Sequence, residues 1–161
     1  MWTNPGEIPG NSVDDDGNGY VDDIYGYDFY NWDNNPMDDH GHGTHCSGTI
    51  AGVGNNGIGV AGVAWTARII AGKFIGASGY GYDSGAMAAV YYGNAKGNHL
   101  SSNSWGGGGF NTSLKASIDA ANAAGILFVA AAGNSSTNND ASPFYPCGYD
   151  SANIIAVTAT T

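Results

Sequence analysis

Along residues 42 to 158, apolar positions recur at helical spacing, then in short unbroken runs, and the two patterns alternate. In residues 42 to 53 (HGTHCSGTIAGV), Cys46, Ile50 and Val53 fall at helical spacing. Arg68 to Phe74 (RIIAGKF) reads as a buried strand. Tyr82 to Lys96 is Ala-rich, with Met87, Val90 and Tyr91 on one face and Gly97 placed to cap its end. His99 to Trp105 predicts a short strand running into a turn at Gly106 to Gly109. Asn111 or Thr112 can cap a helix through Leu114, Ile118 and Ala121, which Gly125 closes. Ile126 to Ala131 and Ile154 to Thr158 read as two further buried strands. Such alternation with short connections predicts βαβ units and a parallel sheet. Function in these sheets gathers beyond the carboxyl ends of strands, here after Phe74, Ser104 and Ala132.

Composition changes this picture in one place. The chain has 161 residues, 42% of them apolar, enough for one domain or part of one, and no internal repeat or linker divides it. It contains no apolar run long enough to span a membrane. The formal charge of −10 comes wholly from residues 1 to 40, where Glu7 and nine Asp meet no Lys or Arg. Phosphate binding needs a basic patch, so nucleic acid is excluded as an expected partner. An acidic block is either a solvated tail or a cation-binding segment. The interleaved Tyr20, Ile24, Tyr25, Tyr27, Phe29 and Trp32 favour cation binding. Cys46 and Cys147 make neither a disulfide scaffold nor a zinc motif.

Residues 38 to 52, DDHGHGTHCSGTIAG, resemble the histidine motif of the subtilase family of serine peptidases. Residues 127 to 134 (LFVAAAGN) resemble the strand that delivers that family's oxyanion asparagine, and residues 103 to 109 (NSWGGGG) its substrate-binding strand. Residues 142 to 159 (SPFYPCGYDSANIIAVTA) resemble the region just past the primary specificity pocket. The motifs stand in the family's order. The resemblance implies an α/β, three-layer fold with a mainly parallel central sheet and helices on both faces. It implies a serine endopeptidase using an Asp/His/Ser triad. On that match His42 is the general base, His45 supports the site, and Asn134 donates its amide to the developing oxyanion. Ser104, Trp105 and Gly106, with Ala132 and Gly133 opposite, would bind an extended peptide by strand addition. The glycines would leave an open pocket for large apolar side chains.

The acidic region extends the resemblance. WTNPGEIPG, DDDGNGYVDD and IYGYDF are similar to a stretch that follows the catalytic aspartate in some secreted subtilases. The spacing from Asp28 to His42 is similar to that of the thermitase-like branch, where this loop binds calcium. By position, Asp28, Asn31, Asp33 and Asn35 would be ligands; Met37 replaces an amide side chain and would contribute at most its carbonyl. A second calcium candidate is Asp14, Asp16, Asn18 and Asp22, spaced like the start of an EF-hand loop with Gly19 at its sixth position. Tyr25 stands at position twelve and no helix precedes the loop, so a local calcium loop is expected rather than an EF-hand.

No D-[ST]-G string precedes the histidine motif, where the family carries its aspartate (Asp83-Ser84-Gly85 lies well after it), and no GTSMA-like serine motif occurs. Residues 1–161 are therefore expected to be an internal portion of a subtilase catalytic domain, with Met1 an internal residue, inactive as a segment. A secreted, extracellular, monomeric enzyme with structural calcium and polypeptide substrates is what the resemblance implies. Two other classes are carried: a non-catalytic calcium-binding relative, and a metal-dependent hydrolase whose ligands are His40, His42 and His45. Trp105 reads equally as core or pocket wall, and Cys46 as a packed residue behind His42.

Overall fold

The computed structural model describes residues 1–159. The chain divides into two compact units, Met1–Ala89 and the remainder from Val90.

In the first unit, residues 1 to 25 contain no helix or regular strand. Backbone N–H groups without a ladder need other acceptors, and acidic side chains supply them. Glu7 accepts from the N–H of Asp15, Asp16 and Asp22; Asp14 accepts from Asn18 and Gly19; Asp22 accepts from Gly10 and Ser12. The expected aromatic anchoring is present: Tyr20, Tyr27 and Phe29 pack with ring centroids 4.7 to 5.6 Å apart, and Trp32 meets Phe29 edge-on. Tyr25 instead faces solvent.

Strand β1 (Gly26–Asp28) pairs in parallel with β2 (Ala71–Lys73). A Cβ on Gly26 would collide with the Ala71 carbonyl, so only glycine allows this approach. Strand β2 is shorter than the seven-residue run in the sequence, and half-buried to exposed rather than buried. At its carboxyl end the ladder stops where Asp28 turns its own chain, accepting from the N–H of Tyr30 and Asn31. Helix α1 (His42–Ala51) forms as expected, yet contributes no fully buried residue, and Val53 lies exposed beyond it.

Helix α2 (Asp83–Ala95) begins in the first unit and ends in the second. Its buried positions are Gly85, Ala86, Val90, Tyr92 and Gly93, whereas Tyr91, expected on the apolar face, is exposed. Small residues permit the contact: a Cβ on Gly85 would lie 2.9 Å from the Phe29 carbonyl oxygen. The helix ends in a Schellman motif, with Gly97 at φ 70° donating to Asn94 and Asn98 donating to Gly93.

The second unit is a parallel three-stranded sheet of β3 (Leu100–Asn103), β4 (Leu127–Ala131) and β5 (Ile154–Val157), in that order. Register aligns Ser101 with Phe128 and Phe128 with Ile154. Helix α3 (Thr112–Ala123) starts where expected, with Asn111 accepting from the N–H of Ser113 and Leu114. Gly125 closes it with a second Schellman motif, and Ile126 is buried just past the end. The helix buries Leu114, Ser117, Ile118 and Ala121, and packs on β4, whose Phe128 and Ala130 are fully enclosed. Asn153 ties the layers together by donating to the carbonyls of Ile118 and Ile126.

On the opposite face of this sheet, Leu100, Leu127, Ile155 and Val157 are 44 to 50% exposed. The expectation of buried strands therefore holds for one face of β4 and fails for β5 among the described residues. Pairing is parallel in both sheets, as the alternating pattern predicts, but the ladders form a two-stranded and a three-stranded sheet rather than one. Truncation at Phe128 (Phe128→Ala) is expected to cost about 3–5 kcal/mol and removal of the Asn111 cap (Asn111→Ala) about 0.5–2 kcal/mol, both read from urea unfolding.

Candidate active site

His42 is the first residue of α1, and its side chain is exposed. The N-cap position is Gly41, which adopts φ 93° and has no side chain to offer. Asp38 takes over the capping. One carboxylate oxygen accepts from the N–H of His40 and Gly41, and the other accepts from the N–H of Thr44 at 2.7 Å. The Thr44 hydroxyl, then these N–H groups, hold the Asp38 carboxyl well below the usual carboxylate range. A single carboxylate thus fixes the backbone on both sides of His42, and negative charge there also suits the helix N-terminus. Cys46 Sγ lies 3.8 Å from His42 Nε2, one turn along the helix. The rings of His40 and His42 meet edge-on with centroids 6.4 Å apart. The three histidines do not converge on a ligand set: among the described residues, the grouping able to hold a metal is acidic. The geometry therefore gives no support to the metal-hydrolase alternative.

The other candidate residues lie in the second unit, past the carboxyl ends of β3 and β4. Ser104, Trp105 and Gly106 follow directly on β3, with Ser104 and Gly106 exposed. Asn103, at the end of β3, is buried; it donates to the Val129 carbonyl and accepts from the Trp105 indole N–H at 3.2 Å. Trp105 is half-buried against Phe128, so it belongs partly to the core. Beyond β4, Ala132 donates to the Val157 carbonyl, and Asn139 donates to the carbonyl of Ala132. Gly133 then turns the chain at φ 97°, a conformation open to glycine, and Asn134 follows, exposed. A cleft of about 320 Å³ opens beside Ala132 and Gly133, lined otherwise by polar loop residues from Ser135 to Asp140 and by Thr158.

The acidic residues resolve into two different arrangements. Carboxylate oxygens of Glu7, Asp14 and Asp16 all lie within 4.8 Å of one another. No Lys or Arg precedes Arg68 in the sequence, so neutralisation there has no local basic side chain to draw on. Asn18 stands in the same loop, donating to Asp23, while the Asp22 carboxylate is turned to Gly10 and Ser12 and is not part of the group. The second set is built differently. Asp28 is 1% exposed, and its two oxygens accept from Tyr30, Asn31 and the Lys73 ammonium. Lys73 also pairs with Asp39 at 3.1 Å. Burial pushes the Asp28 carboxyl up, but the Lys73 and Asn31 hydrogen bonds outweigh it and hold the group low. Asp33 accepts from Asn35, and the Met37 side chain is 73% exposed. Asp28 therefore accepts from its own loop and from a lysine at once.

The profile of the subtilase family matches residues 8–161. The chain belongs to the subtilase family. It is 38% identical over 122 residues to subtilisin-like protease 1 of Plasmodium vivax, covering 76% of this chain and 19% of that protein. It is 38% identical over 137 residues to thermitase of Thermoactinomyces vulgaris, covering 85% of this chain and 47% of thermitase. A crystal structure of a cold-adapted subtilisin-like serine proteinase superposes with a TM-score of 0.66 at 33% identity, covering 76% of this chain and 42% of that one. This subtilase segment thus spans less than half the length of these relatives, and its α/β fold with parallel strands is subtilisin-like.

Three residues that matter to the geometry escaped the sequence reading. Asp38 lies inside the histidine motif, four residues before His42, and a carboxylate just ahead of a helix start was its available signal. Glu7 had none, standing alone seven residues before the acidic run. Phe144 sat in a matched stretch but nothing marked it. For Asp38, the folded pKa is depressed, so its contribution is complete above the ordinary carboxylate range and is lost as pH falls. The expected outcome for Asp38→Ala is a loss of about 0.5–2 kcal/mol and faster amide exchange at Thr44, with the penalty shrinking toward low pH.

Proposed function

We propose that residues 1–161 are the central part of a serine endopeptidase catalytic domain that hydrolyses peptide bonds through an Asp/His/Ser triad. His42 is the general base, and Asn134 donates its side-chain amide to the oxyanion of the tetrahedral intermediate. The triad aspartate and serine come from segments outside these residues, and the segment alone does not turn over peptides. Extended substrate backbone pairs with Ser104, Trp105 and Gly106 on one side and with Ala132 and Gly133 on the other. The observation that supports this reading is positional: each of these residues sits at an element end, with His42, Ser104, Gly106 and Asn134 exposed. The uncovered apolar face of the β3-β4-β5 sheet fits the same reading, since a complete domain would cover it.

Calcium is the structural cofactor in this proposal, held by Glu7, Asp14 and Asp16, with Asn18 alongside. Hard oxygen donors in a base-free stretch suit that ion. An ion at the loop of Asp28, Asn31, Asp33, Asn35 and Met37 would have to displace Lys73 from Asp28, and we place none there. Asp22 acts as a backbone clamp rather than a ligand. The enzyme is further proposed to be secreted, extracellular and monomeric; no helix among the described residues is long and apolar enough to cross a membrane.

Two measurements check this. A fluorophosphonate probe is expected to label the intact protein and His42→Ala to abolish labelling; equal labelling of the variant would remove His42 from its role. Chelation with EDTA is expected to lower the melting temperature, and calcium at 100 times its dissociation constant to restore about 2.7 kcal/mol. Glu7→Gln should weaken that calcium response, and an unchanged melt after proven calcium removal would sink the calcium assignment.

A further inference from the structure

The glycines flanking the proposed substrate strand imply room for a large side chain, and the structure fills that room. Extending the β3-β4 register past Asn103 and Ala130 brings Gly106 level with Gly133. The ring of Phe144 lies against both. A Cβ built on Gly106 would fall 2.5 Å from Phe144 Cζ, and one on Gly133 would fall 3.4 Å from Cδ1 and Cε1. The absent side chains of these two glycines are thus replaced by one phenyl ring in direct contact with their backbone.

The ring's position is not loose. Phe144 O accepts from Gly148 N at 2.8 Å and from Cys147 Sγ at 3.1 Å. The next carbonyl, on Tyr145, accepts from Gly107 N at 2.9 Å, which pins the segment to the turn after Gly106. Tyr145 in turn packs with Phe110 and Tyr149. Burial pushes the Cys147 thiol up, so it remains a neutral hydrogen-bond donor in this anchor.

We infer that Phe144 is the floor of the side-chain subsite between Gly106 and Gly133, and that it restricts the intact peptidase to bonds following a small residue, Gly, Ala or Ser. The inference rests on the proposed peptidase reading and sharpens it. A peptide whose carbonyl faces Asn134 and whose backbone pairs with Ser104 to Gly106 directs that residue's side chain into the gap between the two glycines. A methyl or hydroxymethyl group fits above the ring; a benzyl or isobutyl group meets it.

The test compares p-nitroanilide peptides that differ only in a final Ala or Phe, hydrolysed by the intact protein and by Phe144→Gly and Phe144→Leu. The wild type is expected to prefer Ala by about tenfold or more in kcat/KM. Phe144→Gly should reverse that order, chiefly through KM for the Phe substrate, while Phe144→Leu, which keeps bulk and packing, should retain the Ala preference. A merely structural role for Phe144 would lower both rates together and leave their ratio unchanged, which would overturn the inference. A wild type that prefers Phe would also overturn it, while leaving the peptidase reading intact. If neither substrate is cleaved and the fluorophosphonate probe does not label, the peptidase reading itself fails and the inference falls with it.

Discussion

Every backbone N–H that leaves a ladder or opens a helix must find an acceptor, and the way this chain meets that requirement shapes both units. In the first unit, carboxylates carry the load. Glu7, Asp14 and Asp22 receive the amides of a stretch with no regular structure, and Asp38 receives those around the first turn of α1. In the second unit the same need is met by Asn111 at the start of α3 and by the glycine-closed end that follows it. The candidate residues lie at these junctions because element ends are where backbone direction can be fixed while side chains stay accessible.

The concentration of acids has a second consequence. Carboxylates gathered to accept amides are also gathered near one another, and their mutual repulsion must be offset. Asp28 is offset within the protein by Lys73. Glu7, Asp14 and Asp16 lie where no basic residue is near in sequence, and the proposed calcium would supply the missing positive charge. The first loop meets this problem with a built-in lysine; at the second, the proposed calcium would meet it.

Much of the fold was legible because helices and strands here follow their spacing. The α3 pattern of Leu114, Ile118 and Ala121 named the buried face, and Asn111 and Gly125 named its ends. Strand lengths were not legible, since β2 extends only as far as its partner β1, three residues from Gly26 to Asp28, whatever its own composition. The face of α2 follows its spacing only in part: Val90 is buried as expected, but Tyr92 and small residues, rather than Tyr91, complete the buried side. At the site, the motifs name His42 and Asn134 as candidates, but pairing between distant residues has no local mark. The Lys73–Asp28 pair spans 45 positions, and the contact of Phe144 with Gly106 and Gly133 is set by tertiary packing. Glycine in a strand signalled space without saying what occupies it.

The proposed function gives His42 and Asn134 roles in one reaction. It is tested most directly by a crystal structure of the intact protein bearing a covalent peptidyl phosphonate that ends in Ala. The account predicts the phosphorus bonded to a serine, with His42 Nε2 and Asn134 Nδ2 each within hydrogen-bond distance, about 3.2 Å or less, of adduct oxygens or that serine. An adduct formed elsewhere, or one that leaves either side chain out of reach, would contradict it.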